Sequence, residues 1–149
     1  MHVSVSLVRL TVQNQLEVIE TCYAFLPVYH YGGLWLASTI YITNGIPASL
    51  FESEYYTMKR HPAPRNRSAA QDMRAIFIAG AKKESVLCSF VLDFFLEYWR
   101  TQEKFDEYFL LDYVMNIAYD ELQECRKILD SVPYSDYDLY ILEGIMNHE

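Results

Sequence analysis

The chain has 149 residues, 52% of them hydrophobic and 15% aromatic, with thirteen tyrosines and eight phenylalanines, a composition that argues against disorder and suits one domain with a sizeable core. A formal charge of −8 argues against sequence-independent nucleic-acid binding, which needs clustered Lys and Arg. Cys22, Cys88 and Cys125 are widely spaced with no C-x-x-C, so neither a disulfide framework nor a zinc site is signalled.

No window reaches the roughly 18 apolar residues of a spanning helix, and the start of the chain lacks a signal-peptide pattern. A cytoplasmic protein with reduced thiols and no transmembrane segment is the expectation, with the inner face of the membrane as a second placement.

In chain order, Val3, Val5 and Leu7 alternate with serines and give way to Val8, Leu10 and Val12, a short strand. From about Asn14 the period changes. Leu16, Ile19, Tyr23 and Leu26 share one helical stripe up to Pro27, which should disturb or end the helix. After Gly32 and Gly33, "GLWL" and "TIYIT" form a β-rich run, and Asn44-Gly45-Ile46-Pro47 closes it as a turn. "SEYYTMK" is another candidate strand.

Residues 60–71, "RHPAPRNRSAAQ", carry two prolines and three arginines with no apolar period, and read as a loop. "AIFIAGA", residues 75–81, reads as a buried strand. Beyond it, Leu87, Phe90, Val91, Phe94, Phe95 and Tyr98 follow the helical template without a miss, predicting an amphipathic helix from about Glu84 to Arg100. "KFDEYFLLDYVMNIAYDEL" is apolar around much of its circumference and predicts a largely buried helix. "DELQECRKILD" predicts a shorter one stopping before Pro133, and Ser135 with Asp138 resembles a capping box for a last helix through about Asn147. The order is β-α-β-β, loop, β, then helices: a mixed sheet over residues 1–82 and a helical region over 83–149, in one domain.

Two stretches resemble a known family. "YGGLWLASTIYIT" is similar to the turn and strand of the capsular polysaccharide synthesis proteins, relatives of glycosyltransferases with a sugar-binding DXD region. There the usual text is close to YGG, Ile or Leu, then WLDAT. The run from "FIAGAKKESVL" through "EYWR", "EYFLLDY" and "RKIL" to "SVPYSDYDLYILEGIMN" resembles that family's C-terminal half. The resemblance implies an α/β fold, an incomplete nucleotide-diphospho-sugar transferase-like mixed sheet followed by a C-terminal helical region. It further implies transfer of a sugar from a nucleotide-sugar donor to a glycan acceptor.

It also implies a divalent cation, Mn or Mg, held against the donor diphosphate by an acidic residue after the tryptophan strand. A hard cation takes oxygen ligands and neutralises charge on the leaving group. Here that position is Ala37, whose methyl ligates nothing. The family's Ser-Asp and Arg upstream of YGG are also absent, where this chain has Glu20-Thr21 and Ala24. Only about thirty residues precede YGG, fewer than a nucleotide-binding half needs, so a truncated or inactive copy is one expectation. The alternative is a non-catalytic interaction module that packs through its aromatic helical half, against itself or against a missing N-terminal half.

The residues carry two readings each. Tyr31, Gly32 and Gly33 shape a donor site under the resemblance, while paired glycines after a helix are equally a C-cap and turn. Trp35 stacks on a sugar or base, or is core. Ser38 and Thr39 offer hydroxyls to a phosphate, or cap a strand. Lys59, Arg60, Arg65, Arg67 and Arg74 form the basic concentration of an acidic chain. Arg65 and Arg67 could grip a diphosphate in bidentate fashion, and the bland reading is a solvated loop. Asp112, inside "FLLDYVMNI", matches the family's helix Asp and is the candidate base or acceptor-binding group, being costly to bury without a partner. No residue is assigned to a metal.

Overall fold

The computed structural model describes residues 24–37, 40–42, 45–59, 78–102 and 110–134. Within them lie a helix over residues 24–31 (α1), strand β1 (Gly33–Leu36), a single 3-10 turn (Ala48–Leu50), β2 (Tyr55–Tyr56) and β3 (Ile78–Ala81). Three helices follow: α2 (Val86–Thr101), α3 (Leu110–Glu121) and α4 (Gln123–Ser131). The strand expected over Val3–Val12, the loop at 60–71 and the helix expected after Ser135 lie outside the described residues.

β3 is the centre of a three-stranded sheet ordered β1-β3-β2, antiparallel to both neighbours. The expected mixed sheet is therefore corrected to an antiparallel one among the described residues. The sequence order gives the strands but not their pairing. The segment between β1 and β2 returns the chain to the same end of the sheet, so β1 and β2 run parallel without touching, and β3 passes back between them. Gly80 lies close beneath its partner across the ladder: a Cβ there would come within 2.7 Å of Leu34 Cδ1, which would have to turn aside, and within 3.2 Å of the Gly33 oxygen.

The helices bury one stripe each, and these stripes share a core with Tyr55, Ala79 and Ala81 from the sheet. α2 contributes Leu87, Cys88, Val91, Leu92, Phe95 and Trp99. The face is turned from the expected one: Phe90, Phe94 and Tyr98 sit half-buried along its flank, with Phe94 and Tyr98 stacked at 6.2 Å between ring centres. α3 buries Leu111, Val114, Met115 and Ala118, while Tyr113 and Ile117 are 45% and 43% exposed. The helix expected to be buried nearly all round is thus one-sided in its described part, because it covers α2 and α4 from one side only.

Two further expectations change. α1 runs through Pro27 to residue 31 rather than stopping there, since burying Ala24, Phe25 and Val28 outweighs one missing backbone donor. The β run ends at Leu36: Ile40 N–H donates to the Ala37 carbonyl at 3.0 Å, a turn, and Tyr41 and Ile42 are exposed instead of paired.

α4 starts after a break at Leu122, and Arg126 closes the joint. Its guanidinium donates to the last carbonyls of α3, Tyr119 O at 2.8 Å and Asp120 O at 2.7 Å, where a helix C-terminus favours a cation. Tyr119 returns a hydrogen bond to Asp130 at 3.1 Å.

The α1 to β1 turn is held by backbone. Gly32 has φ +69°, and its N–H donates to the Val28 carbonyl at 2.8 Å, the left-handed helix cap. The neighbouring Tyr29 carbonyl accepts from Glu84 N–H at 2.8 Å, across the β3 to α2 connection. A Cβ on Gly32 would sit 3.0 Å from the Lys83 nitrogen and 3.3 Å from the Ala81 oxygen, whereas Gly33, at φ +104°, faces open space. Gly32→Ala therefore meets both strain and a clash, and is expected to lose about 2 kcal/mol or more of unfolding free energy. Gly33→Ala is expected to lose about 1 kcal/mol, from conformation alone. Urea denaturation of the two variants checks the order, and equal losses would contradict the close contact at Gly32.

Candidate functional site

The sheet places the candidate residues at two ends. At one end lie the last residue of α1, Tyr31, which is 87% exposed, the Gly32–Gly33 turn, and the Lys82-Lys83-Glu84 connection into α2. Lys82 pairs with Glu54 at 2.5 Å and Lys83 approaches Glu84 at 3.9 Å, all of them exposed, so these pairs contribute little to stability. Glu84 itself holds φ +60°, which favours glycine, and so lets its N–H reach the Tyr29 carbonyl.

At the other end lies Ala37, four residues beyond Gly33, or roughly 13 Å at the rise of an extended strand. The glycine turn and Ala37, where the resemblance expects an acidic residue, therefore do not form one compact cluster. Trp35 lies between them on β1, opposite Ala79, partly buried and packed against the hydrophobic core. Ser38, Thr39, Arg65 and Arg67 lie outside the described residues. Asp112 is half-buried in the first turn of α3, on the helical side of the fold.

Ala37 offers no side-chain ligand, and among the described residues no three of His, Cys, Asp and Glu come together as a metal would require. The described residues therefore supply no set of ligands for a divalent cation at this strand end, and no step is assigned to one.

Lys59, next to the basic loop in sequence, belongs to the interior. β2 continues outward with Thr57 and Lys59 pointing into the protein and Met58 half-exposed; Thr57 donates to the Ile78 carbonyl at 2.8 Å. Lys59 is 7% exposed, donates to the Leu129 carbonyl near the end of α4 at 3.1 Å, and lies 5.1 Å from the centre of the Tyr134 ring. Its backbone bridges Tyr134 in parallel. Burial pulls its pKa below the ordinary lysine value, and Asp130 pulls it partly back. Composition could not reveal this, because a lysine followed by arginines reads as solvated.

Burial likewise governs the two described thiols, Cys88 and Cys125. Burial pushes the Cys88 thiol up to about 12, with the Ser85 hydroxyl opposing and Cys125 reinforcing that shift. Cys125 is also raised, by burial and then by Glu124. Both are fully covered, and a thiol whose pKa is raised by burial is a weak nucleophile.

The family model described as capsular polysaccharide synthesis protein matches residues 28–149, from within α1 to the last residue given. The chain belongs to the capsular polysaccharide synthesis protein family. The match takes in the glycine turn, Trp35, Asp112 and the whole helical layer, so the sequence resemblance and the family agree. No curated protein and no solved structure matches the chain. Among the described residues, no helix is long and apolar enough to cross a membrane.

Two measurements follow from this geometry. At pH 8, an aromatic disulfide reagent should modify at most one of the three thiols in the folded chain and all three in denaturant; rapid native reaction of two would contradict the burial of Cys88 and Cys125. For Lys59 the folded pKa lies below the unfolded value, so the unfolded chain binds the proton more tightly and stability rises with pH across the window below about 10.5. Lys59→Met removes that penalty, and the Leu129 carbonyl keeps Val132 N–H as a donor at 3.3 Å. The variant should therefore melt at or above the parent temperature at pH 7, with the difference shrinking as pH approaches about 10.5. A large loss of melting temperature at pH 7 would instead show that the ammonium contacts outweigh its desolvation.

Proposed function

We propose that this chain acts in capsular or surface polysaccharide synthesis as a glycosyltransferase-type protein, taking a sugar from a nucleotide-sugar donor to a glycan hydroxyl. The family match over residues 28–149 carries this reading. The exposed Tyr31 beside a glycine turn is consistent with a place where a ligand's sugar or base meets the chain. In such a transfer the acceptor oxygen bonds to the anomeric carbon as the bond to the diphosphate breaks, and the acceptor's proton passes to a base. Asp112 is the residue proposed for that base, and Tyr31, Gly32, Gly33, Trp35, Ser38, Thr39, Arg65 and Arg67 are those proposed for the donor.

The cation is where this chain departs from the expectation. With Ala37 in the acidic position, donor binding in the native chain is proposed to be independent of Mn or Mg. Calorimetric titration with a panel of nucleotide sugars should give a dissociation constant of about 1 mM or tighter for at least one donor, unchanged by EDTA. In Ala37→Asp, manganese should tighten that donor about tenfold, equivalent to about 1.4 kcal/mol. Loss of native binding in EDTA would refute the metal-independent reading. An absence of binding for every donor, with and without metal, would remove the transferase reading altogether.

A base at Asp112 predicts a split between binding and rate. Asp112→Asn should lower turnover by about 10²-fold to 10⁴-fold while leaving the donor dissociation constant within about twofold. Equal losses in both would make Asp112 a structural residue.

The second reading, a non-catalytic interaction module working through the helical half, is favoured by one observation: Leu96 on α2 and Tyr113 and Ile117 on α3 are apolar or aromatic and more than 40% exposed. Light scattering after size exclusion distinguishes it. A module predicts self-association without any nucleotide sugar, weakened by Ile117→Glu, whereas a ligand-independent monomer would remove it.

A further inference from the structure

We draw no further inference here: the strongest candidate, the amino end of α2 with Lys82 and Lys83 beside the Gly32–Gly33 turn, rests on a helix N-terminus and two exposed lysines, one of them paired with Glu54, with no second observation that points to a ligand.

Discussion

The contact on which the rest depends is backbone against backbone, where the turn from α1 into β1 meets the connection from β3 into α2. Gly32 comes so close to the Lys83 nitrogen and the Ala81 oxygen that a side chain there would force the backbone apart by a few tenths of an ångström. The Tyr29 carbonyl, which would be left over at the end of α1, is taken by the Glu84 amide. A helix end buried without partners would be unstable. Here one segment finishes the hydrogen bonding of another that lies some fifty residues away in the chain, and in doing so it sets where β1 starts beside β3. The register that follows, from Gly33 opposite Ala81 to Leu36 opposite Ile78, places Trp35 over Ala79 and delivers the chain to Ala37 at the far end.

This gives the glycine pair a structural purpose that stands without any ligand. Gly32 is required by packing and by its left-handed backbone, and Gly33 by its backbone alone. The donor site proposed at this turn is compatible with that purpose, since a turn that must be made of glycine also leaves its outer side bare. The other end of the sheet is organised differently. There the interior lysine, Lys59, ties the outgoing strand to the end of α4, and the following Tyr134 covers its ammonium. The strands between the two ends pack on one core shared with α2, α3 and α4 side chains.

What the sequence made legible follows its periodicities. α2 stands out because long apolar side chains recur at helical spacing over four turns, and β3 because an uncharged run of small and β-branched residues ends at two lysines. Helix ends and strand ends are less readable, since they turn on single hydrogen bonds. Pro27 looks like a stop, yet the burial around it decides otherwise. "TIYIT" has β-forming residues throughout, yet the turn at Ala37 and Ile40 intervenes before it can pair. Pairing direction was not readable at all, because alternation reports which face a residue takes and nothing about its neighbour strand. The family was legible as a resemblance in the YGG-x-W text. The roughly 13 Å between its glycines and Ala37 needed the strand geometry, and the interior position of Lys59 needed the tertiary fold.

The central claim is that the two turns are locked together through their main chains. Native-state hydrogen exchange of the Glu84 amide tests it most directly. Locked turns predict that this amide, though it sits in a connection with an exposed side chain, exchanges as slowly as the buried amides of α2 and accelerates selectively in Gly32→Ala. Exchange at the rate of an open loop in the parent chain would contradict the claim.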